Sequence, residues 1–114
     1  WYVAIFESDS TPSANATYSS PGYTECTAYS ETTRPAYQPG SASGGSISNS
    51  SNKAGFTFTS SKTIYGASIV NISTKGDTSE SEGILYSVDR FSSSKSVQSE
   101  DVLKVTVEIG FTLS

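Results

Sequence analysis

The sequence predicts an all-β fold: one antiparallel β-sandwich of about eight strands, of the jelly-roll or another Greek-key type. Three observations lead there. Residues 103–113 place Leu103, Val105, Val107, Ile109, Phe111 and Leu113 at every odd position, with polar or small residues between. That period of two fits a half-buried strand and no helix. Short apolar runs recur along the chain, separated by Gly, Pro and Ser at the spacing of a sandwich. No segment keeps helical periodicity over three turns.

The elements follow in order. Trp1 to Phe6 is a continuous apolar run of strand length, predicted as a central strand buried on both faces. Glu7 to Gly22 reads as a polar loop punctuated by Pro12, Pro21 and Gly22. Tyr23 to Ser30 is predicted as a strand. Arg34 to Tyr37 reads as a short edge strand, because Pro35 has no N–H to give a ladder. Gly40 to Gly45 is a flexible turn, and Ser46 to Asn49 a short strand around Ile47. Ala54 to Thr59 sets Phe56 and Phe58 on one face. Thr63 to Ile72 is a long strand buried on both faces, and Gly66 within it predicts a bulge or a close backbone approach. Ser73 to Glu82 is a charged turn. Gly83 to Val88 is another strand, Phe91 to Val97 a weak serine-rich one, and the alternating segment at 103–113 closes the fold. Residues 1–114 form a single domain.

Composition narrows the class. Leu, Ile, Val and Phe number 22 of 114 residues, while Ser and Thr number 38. So small an apolar share makes a thin core, and such chains gain burial from neighbouring copies. The net charge of −4 and seven scattered basic residues offer no patch for phosphates, so no nucleic-acid partner is expected. No stretch is long and apolar enough to span a bilayer, and no membrane partner is expected. No signal peptide is legible. The chain opens at Trp1 without a methionine, and upstream residues are expected to have been removed or left out. Cys26 is alone and reads as a small buried hydrophobe.

Histidine is absent, which removes a serine triad and any histidine-bearing zinc site. A single cysteine removes a thiolate cage. No catalytic, metal-binding or cofactor-binding residues are assigned, and no enzymatic activity is expected. Asp77, Glu80 and Glu82 offer hard oxygens that calcium favours, but the ordered spacing of a calcium loop is missing, and a solvated acidic turn is the preferred reading. Asn15, Asn49 and Asn71 stand in Asn-x-Ser/Thr triplets, a pattern that chance supplies in so hydroxyl-rich a chain. Tyr18, Tyr23, Tyr29 and Tyr37 remain as candidate contacts for a protein partner or a glycan, set against the plainer reading that they pack inside.

Read in order, several segments resemble a family of small virion proteins of tailed bacteriophages, tail-fibre or minor structural proteins with related capsid-decorating β domains. The opening Tyr2-Val3-Ala4-Ile5-Phe6 with Ser8-Asp9-Ser10-Thr11-Pro12 looks like the family's first strand and its acidic, proline-bearing loop. Gly45 to Asn49 followed by Phe56-Thr57-Phe58 is similar to its central hairpin region, and Ile64 to Ile72 to the strand after it. Gly83 to Ser87, then Lys95-Ser96-Val97, then Asp101-Val102-Leu103, is similar to its closing pattern. The chain departs from the family at Glu100, where a glycine often precedes the aspartate. It departs again in residues 15–38, which are longer and richer in tyrosine. The resemblance implies a non-enzymatic structural component of a virion, a capsid decoration protein or a tail-fibre subunit, assembled in the host cytoplasm. Its implied partners are other virion proteins and copies of itself, with a trimer favoured. A glycan- or host-receptor-binding tip module is the alternative.

Overall fold

A computed structural model describes residues 1–110, which form seven strands and no helix. The strands are β1 (Tyr2–Phe6), β2 (Ser46–Ser48), β3 (Ala54–Thr57), β4 (Lys62–Val70), β5 (Leu85–Val97), β6 (Val102–Val105) and β7 (Glu108–Gly110). They pair antiparallel in three small sheets, β1-β4-β5, β2-β7 and β3-β6, seven strands where about eight were expected.

The continuous apolar run at the start does become a strand buried on both faces, but it lies at the edge of its sheet and β4 takes the centre. Val3 and Ile5 enter one core with Ala67 and Ile69 of β4, Phe56 and Phe58, Tyr29, Cys26 and Val105. On the other face of the same sheet Phe6 stacks on Tyr23, with ring centroids 4.9 Å apart, under the loop that follows β1. Each fully buried phenylalanine contributes roughly 1.5–3 kcal/mol of transfer free energy. Phe6, Phe56 and Phe58 therefore carry much of the core of this apolar-poor chain.

Gly66 lies where the predicted close approach occurs. A Cβ there would overlap the carbonyl oxygen of Asp89 and the Phe6 ring. Beside it the β4–β5 register slips. Ile64 faces Lys95 and Gly66 faces Arg90, so Tyr65 alone on β4 stands against the four residues 91–94 of β5. The two strands expected at 83–88 and 91–97 are thus one, thirteen residues long and bulged in the middle. A second slip sets Ile69 against Ser87 and Val70 against Leu85, leaving Tyr86 as the extra residue on β5.

The single strand expected at 103–113 is corrected. The alternation holds, with Leu103, Val105, Val107 and Ile109 turned inward and their neighbours exposed. The pairing does not run through. β6 pairs with β3, β7 pairs with β2, and Thr106 and Val107 lie between. Asn49 makes the break. Its side-chain Nδ2 donates to the Val105 carbonyl at 3.2 Å, and its Oδ1 accepts the Val107 N–H at 2.7 Å. A buried amide therefore replaces one rung of the ladder while the strand changes partner. Phe111 and Leu113 lie outside the described residues.

The strands expected at 23–30 and 34–37 reduce to isolated bridges at Glu25, Tyr29 and Ala36. The segment is shared between two edges. Cys26 N–H donates to Ile5 on β1, Ser30 N–H donates to Thr57 on β3, and the Pro35 carbonyl returns to accept Val3 N–H. No edge holds it for long enough to form a ladder. The Gly83–Val88 region begins its pairing at Leu85, and Ser73–Glu82 is irregular, as expected of a charged turn.

Candidate functional site

The loops over the outer face of the β1-β4-β5 sheet meet at Arg34. This side chain is 2% exposed, and all five guanidinium N–H groups are used. Nε and Nη2 grip the Glu25 carboxylate at 2.9 and 2.6 Å. Nη1 donates to Tyr18 Oη at 3.0 Å and to the Ile72 carbonyl at 2.8 Å, and Nη2 also donates to the Asp77 carbonyl at 2.9 Å. One buried cation thus ties residues 18, 25, 72 and 77 into a single knot. Burial alone would make Arg34 easier to deprotonate. The Glu25 carboxylate outweighs that effect and holds the guanidinium firmly charged.

Tyr18 passes the knot on. Its hydroxyl donates to Asp77 Oδ2 at 2.8 Å, and its ring lies against Gly83 so closely that a Cβ there would overlap it. Asp77 also accepts from Ser79 Oγ at 2.8 Å and from the Glu80 N–H. The Ser79 and Tyr18 hydroxyls together lower the Asp77 carboxyl to about 2. Burial pushes the Tyr18 phenol up.

The four candidate tyrosines are placed as follows. Tyr18 is buried in the knot. Tyr29 is buried in the core, where desolvation raises its phenol, and its hydroxyl has no hydrogen-bond partner among the described residues. Tyr23 is half-buried and shares a hydrogen bond with Ser68 Oγ at 2.8 Å. Tyr37 donates to the Val107 carbonyl at 3.1 Å. Burial favours the plainer reading for Tyr18 and Tyr29, that they pack inside, Tyr29 in the core and Tyr18 in the knot.

Tyr18 and Tyr23 do come together, around a cavity of about 240 Å³ between the 18–25 loop and the 76–78 turn. Pro21, Val70 and Leu85 give it apolar walls, and Thr24, Glu25, Asp77 and Thr78 give it oxygen. Glu25 and Asp77 were separated by 52 positions in the sequence, and no spacing rule pairs them. Arg34 was missed for the same reason, as one of seven dispersed basic residues.

A second surface was also missed. Tyr86, the extra residue of the β5 bulge, is 53% exposed, and its ring meets that of Trp1 with centroids 5.5 Å apart. Ile84, two residues earlier, is equally open. The signal was present as Ile84 and Tyr86 in the apolar run after Gly83, but the bulge that turns Tyr86 outward depends on its pairing with β4.

Cys26 is buried, and desolvation raises its thiol. Asn49 of the second triplet is fully buried, whereas Asn15 is exposed. Among the described residues no three acidic or cysteine side chains gather to hold a metal ion, and no helix is long and apolar enough to cross a membrane. Comparison with family models, curated proteins and solved structures returned no match for this chain.

Proposed function

We propose that the chain is a non-enzymatic structural component of a tailed-phage virion, either a capsid decoration protein or a tail-appendage subunit. It would act through copies of itself, with a trimer favoured, and through docking to other virion proteins. The ordered resemblance of its segments to small virion proteins motivates the reading. The surface formed by Tyr86, Trp1 and Ile84 is the observation that carries it. A bulge spends a ladder position to aim an aromatic ring into solvent, and exposed aromatic side chains are favoured anchors of protein interfaces. The outer edge of β5, which among the described residues pairs only with β4, lies beside that surface.

The finer architecture belongs to the same reading. β1-β4-β5 would be one layer of a Greek-key sandwich, with β3-β6 and β2-β7 as the other. The 8–23 loop is pinned to the sheet by Arg90, which meets Asp9 at 2.6 Å and donates to the Ser10 carbonyl. The 72–77 turn is pinned by Arg34 and by Lys75, whose Nζ donates to the carbonyls of Tyr29 and Glu31. Loops held in this way make a rigid unit, and rigidity lowers the entropy cost of repeated weak docking.

Electron microscopy of purified particles, labelled with an antibody to this chain, tests the proposal. Label at regular positions on the head or along the tail is expected. Particles free of the chain, or a purified chain that hydrolyses host polysaccharide until Glu80 or Glu82 is changed to glutamine, would overturn it. A glycan-binding module is a second reading, favoured by the cavity that Tyr18 and Tyr23 share.

A further inference from the structure

We infer that the cavity between the 18–25 loop and the 76–78 turn is a binding site for one neutral sugar ring. The inference rests on the glycan-binding reading and names the ligand class of its site. The argument is a count of donors and acceptors. Every N–H of Arg34 is already engaged, and the Tyr18 hydroxyl gives its proton to Asp77. The cavity therefore offers an anion no free charged donor. Acceptors remain. Each oxygen of Glu25 takes one hydrogen bond, from Arg34, and a carboxylate has about four acceptor positions. The hydroxyls of Thr24 and Thr78 make no hydrogen bond among the described residues, and both residues line the same space.

A ligand that fits must bring hydroxyl donors. It must also bring an apolar face, because Tyr23, Pro21 and Leu85 form the open part of the remaining wall. A sugar ring has both, with C–H groups on its faces and hydroxyls at its rim. An ammonium group would also donate, but the Arg34 guanidinium beneath the floor neutralises Glu25, and both oxygens of the ionised Asp77 carboxylate are already taken by the Tyr18 and Ser79 hydroxyls and the Glu80 N–H. The volume, about 240 Å³, is smaller than sites for drug-sized ligands at roughly 300–1,000 Å³, so it admits a single ring and no longer chain.

The test is an amide NMR titration of the whole chain with methyl α-D-glucopyranoside, methyl α-D-mannopyranoside and methyl β-D-galactopyranoside. N-acetylneuraminic acid and Nα-acetyl-lysine methylamide serve as anionic and cationic probes. At least one neutral hexoside is expected to shift the amides of Tyr18, Thr24, Asp77 and Thr78, and the two charged probes to leave them in place. The double variant Thr24→Val, Thr78→Val keeps every Arg34 contact and should bind that hexoside ~tenfold more weakly, with an otherwise unchanged spectrum. No shift with any hexoside, stronger binding of a charged probe, or equal binding by the double variant would overturn the assignment. A glycan array separates the two claims. Array binding that survives the double substitution rejects this cavity and leaves the glycan reading standing. A silent array together with unmoved amides rejects both.

Discussion

Arg34 shows how much one side chain can organise. A guanidinium taken out of water is costly unless each of its N–H groups finds an oxygen, and here two carbonyls, one phenol and one carboxylate supply them. Arg34→Lys keeps the charge but offers three donors from a single point, so Glu25 loses its bidentate partner. We expect it to lower unfolding stability by about 3 kcal/mol, read from urea denaturation. Replacing both partners, as Arg34→Met with Glu25→Leu, should cost less than Arg34→Met alone, because no buried charge is then left unpaired.

Asp77 adds a pH dependence with a defined sign. Its carboxyl is held down, from 3.8 to about 2, by the Ser79 and Tyr18 hydroxyls. A depressed folded-state value means that its contribution is complete above pH 3.8 and fades as pH falls through about 2. Acid unfolding between those limits should therefore be shallower in Asp77→Asn than in the parent chain, and an unchanged acid limb would reject the assignment.

At the scale of elements, two local devices set how the strands meet. One is Asn49, whose amide fills the gap between β6 and β7. Asn49→Ala should leave the Val105 carbonyl and the Val107 N–H without partners and cost about 2–3 kcal/mol in a denaturant melt. The other is the turn from β5 to β6. Glu100 has a φ of 78°, the region that glycine occupies without strain, and its N–H donates to the Phe58 carbonyl at 2.7 Å. Glu100→Gly should accordingly raise stability by up to about 1 kcal/mol, the relief of a left-handed residue less the added chain entropy, measured as a shift in denaturation midpoint. A destabilised variant would show that the Glu100 side chain holds the turn in some other way.

For the whole molecule the question is how a thin core suffices. The shared core and the loop layer together bury both faces of β1, yet Trp1, Ile84, Tyr86 and Val102 stay more than half exposed. Three of these belong to the surface around the β5 bulge, where the proposed contact between copies would form. Sedimentation velocity over a concentration series should detect association of the parent chain and its loss in Tyr86→Lys, with the thermal midpoint of the dilute monomer unchanged. A parent chain that remains monomeric throughout would remove self-assembly from the proposal.

Much of the fold was legible along the chain. Strand segments at β1, β3 and β4, the inward alternation from Leu103 to Ile109, the tight approach at Gly66 and the burial of Cys26 all follow from properties of neighbouring residues: side-chain period, chain stiffness and the missing Cβ of glycine. The site was much less legible. Tyr18 and Tyr23 were singled out as candidates, but Glu25, Arg34 and Asp77 carry no local signature of their meeting. Their contacts arise because the β1–β2 and β4–β5 loops are brought over the same sheet face, and a hydrogen bond spanning 43 positions leaves no trace in local pattern. Local sequence determined which stretches extend and which side they bury. The tertiary arrangement decided where strands change partner, which ring a bulge turns outward, and which distant charges share one cavity, because each depends on groups that only the closed chain brings within hydrogen-bonding range.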